Sequence, residues 1–235
     1  MLNEIKSPYP IEIKRSAANK RVSLRVKKDL SGFLLTLPAR IPLAWGQKFV
    51  DEHSGWLIKA SRNLRPLVKL QDGTTFPFFG EEVTVIMQSA KRGKAEKIDD
   101  KIIIYGGEEL FSRRLKTYLK DELLTYIKRK VAEYAQVYSL AQPVFKGGKL
   151  GKIAVHDTTS RWGSCSSKGN LSFCFNLCFA EKKITDYVIA HELSHLKEMN
   201  HSDAFWKVVE SLYPEYKTTR KWLKQNGSKL HGFVL

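Results

Sequence analysis

The sequence predicts an α+β protein in which a small β-rich domain, residues 1–106, precedes a mainly helical domain, residues 107–235. Apolar and polar residues alternate over short stretches of the first domain, which is typical of strands with one solvated face. In the second domain apolar residues recur every three or four positions, as they do on packed helices. Two histidines four residues apart within a helical stretch, His191 and His195, indicate where the chemistry of the second domain lies.

The first domain is predicted to combine several strands with one helix. Alternation over residues 11–37 predicts antiparallel strands, which can keep one face in water. From Pro42 to about Asn63 the apolar spacing becomes helical. A basic stretch with a glycine, residues 91–94, is expected to be a hairpin connection. Further short strands are expected at Phe76–Phe79, Val83–Met87 and Ile102–Tyr105.

The second domain is predicted to begin with one long amphipathic helix, from Glu108 to about Leu140. A short strand is expected at Ile153–His156, and a second one over residues 170–178 leads into the histidine-bearing helix. Two shorter helices are expected to close the domain, one capped by Ser202 and another from about Tyr216 to Gln225.

Composition narrows the class of protein. A hydrophobic content of 43% is that of a folded chain rather than a disordered one. No apolar run reaches the roughly eighteen residues that span a bilayer, and the first residues lack the apolar core of a signal peptide, so we expect a cytoplasmic protein without a membrane partner. Three cysteines without a Cys-x-x-Cys pair indicate reduced thiols, and Cys174 and Cys178 lack the further ligands of a cysteine-bound metal.

The net charge of +16 is a second feature of the sequence that bears on function. An excess of positive charge of this size raises the local concentration of anionic partners, such as nucleic acid or nucleotides. The alternative is that the charge only keeps the surface solvated. A basic loop at residues 146–152 could hold phosphate, but it lacks the residue order of a nucleotide-binding loop.

The motif in the histidine-bearing helix predicts a catalytic zinc site. Four residues apart on a helix, His191 and His195 lie on one face and can bind the same ion. Glu192 lies beside the first ligand, where it can act as the general base towards a metal-activated water. His201 follows six residues after His195 and can return as a third ligand. Three protein ligands leave one position open for chemistry.

Two carboxylates are alternatives to His201 as the third metal ligand. Glu210 or Glu215 could take the place of His201, because carboxylates also bind zinc. His53 and His156 have no partner at metal-binding spacing and are expected to be surface or structural residues.

Five segments of the second domain form a recognisable combination: Arg161-Trp162-Gly163-Ser164-Cys165, the stretch containing Asn176, Tyr187 to Leu196, Met199-Asn200-His201-Ser202, and Phe205-Trp206. Together they resemble the YgjP-like metallopeptidases, which are relatives of the SprT-like zinc proteases. The resemblance implies zinc held by His191, His195 and His201, with Glu192 catalytic, in a minimal zincin-like domain with a small antiparallel or mixed sheet and an active-site helix.

The spacing of the three histidines equals that of the metzincins, but the match is incomplete. Glu198 occupies the position of their glycine, and no methionine follows His201 to form a Met-turn. The chain must therefore reverse without that glycine. Asn200 is the candidate for a left-handed residue in the turn that presents His201.

Hydrolysis of a peptide bond is the leading expectation, with polypeptide as the substrate. Arg161 is the candidate donor to the developing oxyanion, although a structural ion pair explains it equally well. Trp162 and Asn176 are expected to contact substrate, and the strand over residues 170–178 is expected to bind a peptide by adding it as another strand.

Two other functions stay open. Members of the same family are also labelled nucleoside triphosphate pyrophosphatases acting on UTP, and an activated water could attack a phosphoanhydride, although the sequence lacks an acidic cluster for magnesium. The protein could instead be a nucleic-acid-associated basic protein with a SprT-like role, although it carries no recognisable DNA-reading motif.

Overall fold

The computed structural model describes residues 4–62, 64, 67–89, 93–141 and 150–235. The contacts divide it into two compact units, Met1–Val68 with Val234 and Lys69–Phe233 with Leu235. Strands and helices both contribute to each unit, so the predicted α+β class is confirmed. Within the described residues, no helix combines the length and the apolar character that crossing a bilayer requires.

The first unit packs two helices against a three-stranded sheet. The strands are β1 (Ile11–Ser16), β2 (Ser23–Val26) and β3 (Phe33–Pro38), and β3 is central. Strand β2 pairs antiparallel with β3, as expected, but β1 pairs parallel with it, so the prediction of an all-antiparallel arrangement is wrong. The most apolar strand takes the middle because Phe33, Leu35 and Leu37 are fully buried there.

The predicted helix over residues 42–63 is two helices, α1 (Leu43–Glu52) and α2 (Ser54–Ser61). They meet at His53, whose φ of −102° and ψ of 15° depart from helical values. Val50 of α1 and Leu57 of α2 complete the core of this unit.

A four-stranded sheet opens the second unit. It is formed by β5 (Thr75–Phe78), β6 (Glu81–Gln88), β8 (Lys101–Tyr105) and β7 (Glu96–Ile98), in that order, after the two-residue strand β4 (Val68–Lys69). Because β6 and β8 pair parallel, the segment between them is not the predicted hairpin connection; it contains β7, which pairs antiparallel with β8. Residues 91 and 92 of that predicted connection lie outside the described residues.

The long helix α3 (Glu108–Ala141) is present as predicted, and its apolar stripe is core. Residues on this stripe are at most 1% exposed: Leu115, Leu119, Leu123, Ile127 and Val131. They share one hydrophobic core with the strands β5, β6 and β8. The compact unit therefore starts at Lys69, whereas the sequence placed a domain boundary at residues 106 and 107. That domain division stays a prediction.

A second small sheet has the order β10 (Gly163–Cys165), β11 (Leu171–Cys174), β9 (Ile153–His156). Strand β9 has the predicted bounds. The strand predicted over residues 170–178 ends at Cys174 and continues as a 3-10 helix, Phe175–Phe179. Consecutive burial of residues 173–175 and 177–180 does not fit the alternation of a strand, which explains the change.

Three helices follow: α4 (Lys182–Ser194), α5 (Asp203–Leu212) and α6 (Tyr216–Asn226). The cap predicted for α5 is present, because Phe205 N donates to Ser202 Oγ at 3.3 Å. Tyr126 of α3 donates to Asp186 of α4 at 2.6 Å, which ties the two helices together. A 3-10 helix, Gly227–Gly232, and a two-residue strand, β12 (Phe233–Val234), end the chain.

Candidate metal centre

Helix α4 carries two of the predicted metal ligands at its C-terminal end. Its inward face is fixed by fully buried apolar residues such as Ile184 and Ile189. His191 lies in the last full turn, and His195 is the residue that caps the helix. The four-residue spacing therefore places both imidazoles on the same side, 5.1 Å apart between ring centroids.

His201 returns to the same place after the helix ends. Its ring centroid is 5.0 Å from that of His191 and 4.8 Å from that of His195. One nitrogen from each of the three rings can be chosen so that all lie within 4.8 Å of one another. Nε2 of His191 and Nε2 of His201 face each other at 3.0 Å. Nitrogens bound to one tetrahedral metal at about 2.0–2.1 Å lie about 3.3 Å apart, so the residues present fit an ion.

The two alternative ligands lie elsewhere. Across the described part of the chain, the residues grouped at metal-binding distance include neither Glu210 nor Glu215. Glu210 instead lies 3.9 Å from the ammonium of Lys217. Glu215 occupies the N-cap position of α6, where its side chain makes no capping hydrogen bond.

The turn between His195 and His201 does not use a left-handed residue. Asn200 is absent from the described residues with positive φ, so the prediction that it takes this conformation is wrong. After α4 ends, the chain turns through two hydrogen bonds instead: the backbone N–H groups of Lys197 and Glu198 both donate to the carbonyl oxygen of Ser194. A wide turn of this kind needs no glycine at position 198.

Neighbouring groups orient the three rings. Nδ1 of His195 lies 3.1 Å from the carbonyl oxygen of Glu198, a bond that leaves Nε2 free to act as a ligand. Phe205 is fully buried, with its ring 4.6–4.9 Å from all three imidazoles. Because Nδ1 of His191 is buried without a hydrogen-bond partner among the described residues, this packing is what holds the His191 ring.

The electrostatics of the cluster favour neutral imidazoles. Burial, and to a smaller extent the nearby His195 and His201, lower the pKa of His191 to about 3. Burial also lowers the pKa of His195. Neutral rings have a lone pair to give to a metal ion, so His191 and His195 do not need to lose protons before binding one at neutral pH.

Glu192 is only 5% exposed, although it is an ionisable residue. Burial raises the pKa of its carboxyl to about 8, and the guanidinium of Arg161 acts in the opposite direction. The backbone of β10 lies directly against this carboxylate: a Cβ built on Gly163 would be 2.5 Å from Glu192 Oε1 and 2.6 Å from its Cγ. The contact confines the carboxylate to one place beside the histidines.

A cleft of about 230 Å³ lies next to Glu192. The residues that line it come from the β10 segment, from α4 and from α6: Arg161, Trp162, Gly163, Tyr187, Val188, His191, Glu192 and Leu223. Both the candidate base and one candidate ligand therefore open onto the same space. An arrangement of this kind can hold a substrate over an activated water.

The two residues predicted to contact substrate have clear packing roles. Trp162 lines the cleft, and its ring stacks on that of His231 with centroids 4.8 Å apart. Asn176 Nδ2 donates to the carbonyl of Leu230 at 3.0 Å and lies 2.9 Å from His231 Nδ1. Both residues thus hold the C-terminal segment; their use in substrate binding stays a prediction.

Sequence reasoning missed several residues of the site. In the sequence Gly163 is only one residue of the segment from Arg161 to Cys165, because its contact with Glu192 joins positions far apart in the chain. Tyr187 precedes His191 by one helical turn and lines the cleft, so the helical periodicity could have indicated it. Leu223 carries no signal that separates it from an ordinary core residue.

Comparison with known proteins gives one family and one solved structure. The family described as YgjP-like, metallopeptidase domain, matches residues 20–226. The crystal structure of the metallopeptidase zymogen of Pyrococcus abyssi abylysin is 21% identical and covers 42% of this chain and 93% of that chain, with a TM-score of 0.34. No curated protein matches the chain. The family match spans both the histidine helix and the segment with Arg161.

Proposed function

The chain belongs to the YgjP-like metallopeptidase family, and from that premise we propose that it is a zinc-dependent peptidase with Glu192 as general base. The observation that carries the proposal is the convergence of three histidine nitrogens within 4.8 Å, beside a buried carboxylate that opens onto a cleft. Membership of the family supports a hydrolase that acts on polypeptides.

Zinc suits this ligand set better than calcium or magnesium does. Imidazole nitrogens are ligands that zinc prefers, whereas calcium and magnesium are bound through oxygen. His191, His195 and His201 would hold the ion. When bound, zinc supplies polarisation of the scissile carbonyl and acidification of the attacking water. Three protein ligands would leave one coordination position of a tetrahedral ion open for the attacking water.

Glu192 supplies the proton transfers. Its carboxylate, held against Gly163, accepts the proton of the attacking water and returns it to the amine that leaves. Burial raises the pKa of Glu192, so its ionised form, which a bound cation would favour, is a stronger base than an exposed glutamate.

Arg161 is our candidate for stabilising the oxyanion. It lines the cleft beside Glu192, and its positive charge lowers the pKa of that carboxyl. The loop around it is closed by a bond from the Thr158 hydroxyl to the Arg161 carbonyl at 2.9 Å. A guanidinium placed there could donate to negative charge that develops on the substrate.

The strand best placed to bind a peptide is β10. The expectation that the 170–178 strand would do so is wrong for β11, because β10 and β9 already pair with its two edges. Strand β10 is one of the two edges of that sheet, and it is the one that carries Gly163 against Glu192. An extended peptide added to this edge would pass the general base.

The test of this function is hydrolysis by the zinc-loaded protein of an unstructured polypeptide and, in parallel, of UTP. We expect new peptide termini by mass spectrometry and no pyrophosphate. Within the described residues, the one group at metal-binding distance is the histidine cluster, and it contains no carboxylate for the magnesium of a nucleotide. Pyrophosphate release without peptide cleavage would replace the proposal by the nucleotide reaction.

Replacing Gly163 by alanine is expected to lower kcat about 100-fold with zinc content unchanged. The added Cβ has no room beside Glu192 Oε1 and must push the carboxylate away from its position. A displacement of a catalytic group by about 1 Å can lower kcat about 100-fold. Steady-state kinetics and elemental analysis measure the two effects. Gly232→Ala, where an added Cβ meets nothing within 4 Å, is the matched control and should keep wild-type kcat. Equal rates in both variants would contradict the role of this contact.

A further inference from the structure

Arg220 lies beside the candidate metal centre without belonging to it. Its guanidinium carbon is 4.4 Å from the centre of the Trp206 ring. That ring is in turn 5.8 Å from the rings of His191 and His201. Burial raises the pKa of Tyr187, and the positive charge of Arg220 acts in the opposite direction, so Arg220 lies close to a residue that lines the cleft.

The helix that carries Arg220 also forms one wall of the cleft. Leu223 is three positions further along α6, so it lies on the same side of the helix, and it lines the cleft. A polypeptide that occupies the cleft must therefore pass close to this part of α6. Arg220 is exposed, and a substrate can reach it from solvent.

The guanidinium is held in place by stacking rather than by a carboxylate. No ion pair or hydrogen bond joins Arg220 to another residue in the described ranges, and the sequence of α6 contains no Asp or Glu. Trp206 is itself fixed, because its ring stacks on that of Tyr216 at 5.4 Å with an angle of 14°. A guanidinium stacked in this way keeps its edge donors free for a planar anion.

We propose that Arg220 is a specificity determinant that selects polypeptide substrates with an aspartate or glutamate near the scissile bond. The inference rests on the proposed peptidase function and names its substrate class. A carboxylate fits because it can accept two parallel bonds from one guanidinium. A lysine or arginine of the substrate at this place would instead meet like charge.

The first test is the cleavage preference of the zinc-loaded protein towards a mixed peptide library, measured by mass spectrometry. We expect acidic residues to be enriched about 5- to 10-fold at one position near the cleaved bond, the range of a partly exposed charge pair. Arg220→Gln should remove the enrichment, and Arg220→Glu should replace it by one for lysine and arginine. Lys221→Gln is the matched control, because it removes one positive charge from the next residue of α6, which is also exposed. It should keep the preference for acidic residues within about twofold of wild type.

Two results of this experiment have different meanings. Cleavage by wild type with the same preference in Arg220→Gln would overturn the role of Arg220 and leave the peptidase function intact. Absence of cleavage by the zinc-loaded wild type would overturn the peptidase function, and the inference with it.

The second test measures binding without turnover, in the Glu192→Gln background. Fluorescence anisotropy should show that a Glu-containing peptide binds about 5- to 10-fold more tightly than its Gln-containing counterpart, and that adding Arg220→Gln removes the difference. A single-stranded oligonucleotide of equal charge is the comparison ligand. If it binds more tightly than the acidic peptide and Arg220→Gln weakens only its binding, the surface recognises nucleic acid and the inference is wrong.

Discussion

Replacing Glu192 by glutamine is expected to lower kcat for peptide hydrolysis by about three orders of magnitude. The substitution keeps the shape of the side chain and its packing against Gly163, but an amide cannot take a proton from water at neutral pH. Removal of a general base of this kind costs about 10²–10⁴-fold. Single-turnover kinetics on a fluorogenic peptide cleaved by wild type measures the loss of the chemical step directly.

Metal content must stay unchanged for this result to bear on mechanism. Glu192 is outside the group of residues at metal-binding distance, so Glu192→Gln should bind the same amount of zinc as wild type. Glu181→Gln, at the exposed start of the same helix, is the matched control and should keep full activity. A Glu192→Gln protein that carries zinc and turns over at the wild-type rate would refute the role of Glu192 as base.

The candidate site was predictable to the extent that it depends on helical periodicity. His191 and His195 come together because residues four apart share a helix face, which any helix enforces. Glu192 follows from the same short motif. The position of His201 needed the additional expectation that the chain reverses, and the details of that turn, including the conformation of Asn200, could not be deduced from spacing.

Features that depend on contacts between distant residues could not be predicted. The parallel pairing of β1 with β3 leaves the same alternation in the sequence as an antiparallel pairing. The contact of Gly163 with Glu192 joins two elements whose relative position only the folded sheet determines. The shared core of α3 with β5, β6 and β8 likewise depends on packing, which the change from strand to helix periodicity near residue 106 does not indicate.

The 3-10 helix after β11 shows a different limit. Residues 173–179 alternate little and are mostly apolar, which fits both a buried strand and a buried irregular segment. The structure takes the second option from Phe175 onwards. Strand β11 is closed to an added peptide for a separate reason, because β9 and β10 pair with both of its edges.

Replacing His201 by alanine is expected to weaken zinc binding by more than about 100-fold. Removal of groups that only orient a ligand already costs about 10–100-fold, and His201 is proposed to be a ligand itself. The Nε2 atoms of His201 and His191 face each other at 3.0 Å, so loss of either leaves two histidines to hold the ion. Competition with a chromophoric chelator measures the affinity, and elemental analysis measures the zinc retained after purification.

Glu210→Ala and Glu215→Ala are the matched variants, because these carboxylates were the alternative third ligands and are exposed. Both should keep wild-type zinc affinity. Thermal denaturation gives an independent measurement, because an ion that binds only the folded state stabilises it by mass action. Added zinc should therefore raise the Tm of wild type and of both glutamate variants. It should raise the Tm of His201→Ala far less. Full zinc affinity in His201→Ala, with a loss in either glutamate variant, would move the third ligand to that glutamate. The site would then have two histidines and one carboxylate, a set that zinc also accepts, and the base, the cleft and the role of Gly163 would need to be placed again around it.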